Sequence, residues 1–195
     1  MPLQPGYGET PLSGDELDTL LPHVVNTLGR PVSKADIFDL ESAILQDVAE
    51  GLIADVFSGD LILDELLTDQ FLRDLHRQLY GDIWVWAGRW RSREVNIGVA
   101  PEQIAVALRT TMDNIRYRWV NTKDWTAREL GIATHAEGVR IHPFTDGNGR
   151  ATRLHADLVF IAAQNPPPIS TTGTSTSSAT SNCSETSIGI AMSPL

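Results

Sequence analysis

Hydrophobic residues recur at helical spacing through most of the chain. Over residues 36–50 they fall three or four positions apart, and Ser33 just before them is a candidate N-cap. The apolar positions of this segment are Ile37, Leu40, Ile44, Leu45 and Val48. Similar patterns predict further helices over residues 63–80, 101–119, 126–140 and 149–163. The chain is therefore expected to fold as a mainly α-helical domain.

Residues 91–100 interrupt this helical pattern. Val95, Ile97 and Val99 alternate with polar or small neighbours, as in a short strand or hairpin. An irregular loop fits the same short run equally well. Spacing alone leaves both interpretations open.

Length and composition limit the class of protein. The 195 residues, 42% of them hydrophobic, suit one domain with a sizeable core. No apolar run reaches the roughly 18–20 residues that span a bilayer, and the start lacks the features of a signal peptide. The single cysteine, Cys183, allows no internal disulfide, as in proteins of reducing compartments. We expect a soluble, cytoplasmic protein that does not bind membranes.

Charge is unevenly distributed along the chain. Residues 1–70 contain 14 acidic and two basic side chains, whereas residues 71–163 contain 10 acidic and 13 basic ones. The net charge of −10 disfavours nucleic acid as a partner, because a polyanion is repelled by a field of the same sign. A small anionic ligand is better suited to residues 71–163.

The composition changes abruptly after Ala163. Thirteen of the 18 residues from 170 to 187 are Ser or Thr, which bury too little apolar area to offset the entropy of ordering. A disordered tail is the expectation. The sudden change within a helical pattern fits a shifted reading frame as well as a genuine tail.

The residues that indicate chemistry lie between 142 and 153. Gly147, Asn148 and Gly149 can turn successive backbone N–H groups toward one side at the start of a helix, where phosphate oxygens bind well. Arg150 and Arg153 are three positions apart on that helix and so share a face near its start, where they can reach the outer phosphates of a nucleotide. This pattern predicts a site for the phosphates of a nucleotide.

Two further side chains add a base and a metal ligand to this segment. Asp146 offers a carboxylate of the kind that holds Mg²⁺ beside substrate phosphates. His142 offers a neutral imidazole that can accept a hydroxyl proton near pH 7. Each residue alone also fits an ordinary turn or solvated helix face, but the combination favours phosphoryl or nucleotidyl transfer.

The run His-Pro-Phe-Thr-Asp-Gly-Asn-Gly-Arg-Ala-Thr-Arg at 142–153 resembles the signature of Fic domain proteins, His-Pro-Phe-x-Asp/Glu-Gly-Asn-Gly-Arg-x-x-Arg. Upstream, residues 75–91 are similar to the helix and the Trp-Ala-Gly-x-x-Arg turn of that family. The resemblance covers roughly residues 55–160. Together with the start at 8–12, Gly-Glu-Thr-Pro-Leu, it is most like the bacterial subgroup called mobile mystery protein B.

The resemblance implies a Fic-type helical bundle with a small β-hairpin flap next to the active-site loop. Three segments follow from it: an acidic N-terminal segment, 1–54, that carries a candidate inhibitory helix, a catalytic core, 55–163, and the Ser/Thr-rich tail, 164–195. The flap would comprise Glu94, Val95, Asn96, Ile97 and Gly98 and would align a target segment by strand addition.

The resemblance also implies a reaction, the transfer of AMP from ATP to a Ser, Thr or Tyr hydroxyl of a target protein. His142 would be the base, and Asp146 would hold Mg²⁺. The anion hole would be Gly147, Asn148 and Gly149, with Arg150 and Arg153 on the phosphates. Doc-type kinases of the family have Lys where this chain has Gly149, which favours AMP transfer over phosphorylation.

Many Fic proteins are inhibited by a glutamate that pairs with the second arginine of the motif, here Arg153. Glu41 is the candidate in this chain, although Ile37 and Ser42 depart from the family pattern Ser/Thr-x-x-x-Glu-Gly/Asn. Alternatively, a separate antitoxin-like partner supplies the inhibitory glutamate. In that case this protein would be the toxin of a toxin–antitoxin pair. Two other functions stay open, a nucleotide- or partner-binding module with little turnover and the transfer of another phosphate-containing group.

Overall fold

Helices make up most of the chain that the computed structural model describes, which is residue 12, residues 14–29 and residues 31–164. Within these residues the elements are α1 (Gly14–Leu17), α2 (Pro22–Leu28), α3 (Lys34–Ser58), α4 (Leu63–Leu66), α5 (Asp69–Tyr80), a 3₁₀ turn (Pro101–Gln103), α6 (Ile104–Asn121), α7 (Ala127–Ile141) and α8 (Asn148–Gln164). None of these helices is long and apolar enough to cross a bilayer. The predictions about the tail from residue 165, Cys183 and the start at residues 8–11 concern positions outside the described residues.

Local capping sets where α3 begins. The Ser33 hydroxyl accepts a hydrogen bond from the Asp36 amide at 3.2 Å, and the Asp36 carboxylate accepts one from the Ser33 amide at 2.9 Å. This reciprocal pair satisfies two amides that a helix start leaves without partners. The predicted cap is confirmed. The helix runs eight residues beyond the predicted end and stops at Gly59, which adopts the left-handed conformation with φ 84°.

The helix predicted over residues 63–80 is divided into α4 and α5. Leu67 leaves the helical conformation with ψ 49°, and the Thr68 hydroxyl then accepts a hydrogen bond from the Phe71 amide at 3.1 Å. A threonine N-cap therefore starts a new helix in the middle of a continuous apolar pattern. Periodicity did not reveal this break, because Leu66 and Leu67 are both buried and keep the pattern intact.

The predicted β-hairpin flap is wrong for the residues that the structure describes. They contain no strand, only an isolated bridge between Leu20 and Trp84. Residues 92–98 form an exposed loop, with Val95 and Ile97 exposed by 43% and 51%. The alternation of these side chains fits a strand, but a strand also needs a paired neighbour, and no described segment supplies one.

Helix α8 lies at the centre of the bundle and packs against α3, α4, α5 and α7. Its contact with α7 is close, because a Cβ at Gly138 would lie 2.7 Å from Cγ2 of Thr152. At Gly131 a Cβ would lie 3.0 Å from the carbonyl oxygen of Ala156. Small residues at these two positions let the helices approach. The packing brings the last residue of α7 and the first turn of α8 together around residues 142–147.

Candidate active site

The loop between α7 and α8 begins with an unusual backbone conformation at His142. Its φ of 53° and ψ of 62° are left-handed, and no other non-glycine residue in the described part of the chain has a positive φ. Such a conformation is costly for residues with a Cβ and is concentrated at functional sites. The turn places His142 on a pocket of about 290 Å³ that is lined by His142, Thr145, Asp146, Gly147, Asn148, Gly149, Arg150 and Arg153. The structure thus brings the predicted base, metal ligand and phosphate-binding residues together.

Asn148 holds this loop in its shape through its side chain. The Phe144 amide donates to Oδ1 of Asn148 at 2.9 Å, and Nδ2 of Asn148 donates to the Phe144 carbonyl at 2.8 Å. Both residues are buried. With its side-chain amide engaged in this way, Asn148 offers an anion its backbone N–H at the first turn of α8, where amides lack intrahelical acceptors.

Gly147 allows the loop to pass close to α5. Its φ is 73°, and a Cβ there would lie 2.5 Å from Cε2 of Tyr80. The Gly147 amide donates to Oδ1 of Asp146 at 2.6 Å. One Asp146 oxygen is thus hydrogen-bonded, and the carboxylate is exposed. Among the described residues, no group of three or more His, Cys, Asp or Glu side chains could hold a metal ion by itself. A single exposed carboxylate suits Mg²⁺, which keeps several waters and binds through substrate phosphates.

His76 supports the same loop from beneath. Nδ1 accepts a hydrogen bond from the Gly88 amide at 3.0 Å, so Nε2 carries the proton and donates to the Asp146 carbonyl, also at 3.0 Å. The ring stacks on Phe144 with centroids 3.6 Å apart. Burial lowers the pKa of His76 to about 4, and the ring is therefore neutral at pH 7. His76 is thus a buried histidine with both ring nitrogens hydrogen-bonded, and it supports residues 144–146 in a way that the sequence did not indicate.

Arg150 is paired with a carboxylate from α3. Oε2 of Glu41 lies 2.5 Å from Nη1 of Arg150, and Nε1 of Trp84 donates to the other Glu41 oxygen at 2.8 Å. Glu41 is only 4% exposed, whereas the Arg150 side chain is 35% exposed. The guanidinium also lies over the Tyr80 ring, 5.2 Å from its centroid. Sequence reasoning did not identify the contact between Trp84 and Glu41, which joins residues 43 positions apart.

The partner of Glu41 differs from the one that the resemblance implies. Arg153 was expected, but this side chain is exposed and lines a groove with Ile132 and His135 of α7. Arg150 instead faces α3 and α5. Residues three apart on a helix are separated by about 60° around its axis, and α8 packs against α3 and α5 near Arg150 but against α7 near Arg153, so the two long side chains have different neighbours.

His142 has the protonation state that a general base needs. Partial burial, and then the nearby Arg91 guanidinium, lower its pKa below the ordinary value of 6.5. The imidazole is therefore neutral at pH 7. The loop at residues 94–98 reaches the same place, since a Cβ on Gly98 would lie 2.7 Å from Cβ of His142.

The family model described as "Fic/DOC family" matches residues 66–160. Residues 66–160 form a Fic/DOC domain. The domain includes the loop, the whole pocket lining and the partners His76, Tyr80 and Trp84, whereas Glu41 lies before it.

Curated relatives agree with this assignment. The chain is 34% identical over 114 residues to protein adenylyltransferase fic-1 of Caenorhabditis elegans, an alignment that covers 54% of this chain and 21% of that protein. It is 33% identical over 113 residues to protein adenylyltransferase Fic of Nematostella vectensis, covering 54% and 25% of the two chains. The chain thus spans about a fifth to a quarter of the length of these relatives. They are animal proteins, and they support the family without supporting the expected bacterial subgroup.

Two glycines of the Fic/DOC loop provide a matched pair of substitutions. Gly147→Ala should lower the free energy of unfolding by about 1–3 kcal/mol, because the new Cβ meets the Tyr80 ring and φ is positive. Gly149→Ala should leave it unchanged or raise it by about 0.5–1 kcal/mol, since nothing lies within 4 Å of a Cβ on this helical residue. Urea denaturation of both variants measures the difference. Equal stabilities would contradict the close approach of Gly147 to Tyr80.

Proposed function

We propose that this Fic/DOC domain is a protein adenylyltransferase that transfers AMP from ATP to a Ser, Thr or Tyr hydroxyl of a target protein. The observation that carries the proposal is the shared pocket, in which a neutral histidine lies with an acid, a helix start and two arginines. The relatives named protein adenylyltransferase in Caenorhabditis elegans and Nematostella vectensis support the same activity.

His142 is the proposed base. Its neutral imidazole accepts the proton of the target hydroxyl while the hydroxyl oxygen forms a bond to the α-phosphorus of ATP. The bond from that phosphorus to the bridging oxygen breaks, and its electron pair leaves with pyrophosphate. The left-handed turn at His142 and the position of this residue in the lining of the same pocket support the assignment.

The phosphates are assigned to the first turn of α8. Gly147, Asn148 and Gly149 are the proposed anion hole. The amides of Asn148 and Gly149 at the helix start would face the developing charge, where the helix dipole favours an anion, and Gly147, whose own amide donates to Asp146, would supply the turn before them. Arg150 and Arg153, which both line this pocket, add two guanidiniums. Asp146 would hold Mg²⁺, which supplies neutralisation of phosphate charge when it is bound.

Two assignments concern the target and the control of activity. The exposed loop Glu94–Gly98, adjacent to His142, is the proposed target-binding flap, and it can pair with an extended peptide by strand addition. Glu41 is the proposed inhibitory residue, because it neutralises the guanidinium of Arg150. The catalytic core at 55–163, a toxin role with an antitoxin-like partner and a cytoplasmic location stay predictions from the sequence.

Labelled ATP tests the activity. Protein incubated with itself and with cell extract should add label from ATP carrying ³²P at the α-position and none from ATP labelled at the γ-position, measured in each case as the excess over His142→Ala in the same extract. Label from the γ-position alone would favour phosphorylation. Tight ATP binding in calorimetry without transfer of either label would favour a nucleotide-binding module and overturn the proposal.

A further inference from the structure

Arg91 connects the catalytic loop to both ends of the flap. Its Nε donates to the His142 carbonyl at 2.7 Å, and its amide donates to the Pro143 carbonyl at 2.9 Å. Nη1 donates to the carbonyl of Arg93 at 2.9 Å, and Nη2 donates to the carbonyl of Val99. Arg91 closes the Trp-Ala-Gly-x-x-Arg turn, and its side chain reaches residues 51 positions further along the chain.

The environment of Arg91 is unusual for a buried cation. The residue is 5% exposed, and no ion pair joins it to a carboxylate in the described part of the chain. A buried charge is costly unless it is well hydrogen-bonded. Here three side-chain N–H groups meet three backbone carbonyls that belong to the flap and to the catalytic residue. The hydrogen-bond partners of the guanidinium are thus the backbone carbonyl of the proposed base and those of the two residues that flank the flap.

A planar guanidinium is the side chain that fits this arrangement. It directs five N–H donors outward in fixed directions, whereas a lysine ammonium is a compact charge on a flexible stem. Gly98 belongs to the same junction, because a Cβ there would lie 2.8 Å from Nη2 of Arg91 and 2.8 Å from the Ile141 carbonyl oxygen. The Val99 amide closes it by donating to that same carbonyl at 3.2 Å.

We propose that Arg91 is a positioning residue that fixes the base of the 94–98 flap to His142, so that the target hydroxyl and the imidazole meet in register. The inference rests on the proposed adenylyl transfer. It assigns Arg91 no contact with ATP, because its hydrogen bonds go to residues 93, 99, 142 and 143 and not to the phosphate-binding turn of α8.

Transfer and ATP binding should respond differently to substitution of Arg91. Arg91→Lys keeps the charge and Arg91→Met keeps the bulk, yet both should lower α-label transfer by about 10- to 100-fold, since a misplacement of roughly 1 Å has that effect. ATP affinity in calorimetry should stay within about twofold. Arg89→Met is the matched control, because that side chain is exposed two residues earlier in the chain, and its transfer should equal that of the unsubstituted protein.

Several outcomes would overturn this role. Unchanged transfer in both Arg91 variants would overturn it. A loss of ATP affinity as large as the loss of transfer would also overturn it, because that result indicates that Arg91 supports the whole loop, including the phosphate-binding residues. If Arg91→Met fails to fold, the experiment uses Arg91→Ala instead, with millimolar guanidinium in solution. The free guanidinium ion can occupy the space of the missing side chain, and it should restore transfer. A failure of rescue in a folded Arg91→Ala protein would count against the inference.

Hydrogen exchange separates failure of this inference from failure of the proposed function. In Arg91→Lys the Val99 amide should exchange faster, while the Phe144 amide, held by Asn148, should keep its protection. This result would support the junction even in a protein that transfers no label. Unchanged exchange at Val99 would overturn it even in an active enzyme.

Discussion

His142→Ala should abolish adenylyl transfer while ATP binding persists. General-base catalysis contributes about 10²–10⁴-fold to rate, and alanine leaves no group to take the hydroxyl proton. The phosphate contacts assigned to the start of α8 do not involve this side chain. Transfer of α-label and calorimetric titration with ATP measure the two effects separately. His23→Ala is the control, because His23 is exposed on α2 and should have no effect on either quantity.

The dependence of transfer on pH gives an independent check on this base. A protonated imidazole cannot accept a proton, so the rate should fall as pH decreases through the pKa of His142. Burial and Arg91 lower that pKa below 6.5, while a hydrogen bond to the Val139 backbone and then the Asp146 carboxylate raise it less. The rate should therefore change little from pH 8 to about 7 and should reach half of its maximum only below pH 6.5. Transfer that survives in His142→Ala, or that already falls at pH 7, would contradict this role.

The helices and the identity of the site were largely predictable, because local residues determine them. Ser33 and Thr126 cap α3 and α7, and each hydroxyl accepts a hydrogen bond from an amide only three positions further along the chain. The clustering of His142 with Arg150 follows equally from nine consecutive residues. Sequence signals of this range need no knowledge of tertiary packing.

Contacts between distant segments were not predictable in the same way. The alternation of Val95 and Ile97 indicates a strand, but pairing depends on a partner that the described chain does not place there. His76 and Arg91 act on backbone carbonyls 70 and 51 positions away, and a carbonyl has no sequence signature. Which arginine Glu41 contacts depends on how α3 packs on α8. The resemblance therefore indicated that Glu41 pairs with an arginine of the motif, but it indicated Arg153 where the structure has Arg150.

Glu41→Gln should increase ATP affinity and transfer by about tenfold, which corresponds to roughly 1.4 kcal/mol. The Glu41 carboxylate is almost fully buried and pairs with Arg150. When a phosphate binds the Arg150 guanidinium, the Glu41 carboxylate loses its ion pair and keeps only the hydrogen bond from Trp84. An unpaired buried charge is costly. Glutamine can still accept from the indole but carries no charge, so ATP no longer has to compete for Arg150.

The comparison requires a control for the change in net charge. Asp39→Asn removes one negative charge from an exposed position of the same helix and should leave ATP affinity and transfer unchanged. Thermal denaturation of Glu41→Gln should show a lower melting temperature, because the substitution breaks a buried ion pair. Lower transfer in a folded Glu41→Gln protein would mean that Glu41 orients Arg150 for the phosphates. Since the two roles predict opposite signs, one measurement of α-label transfer decides between inhibition and orientation.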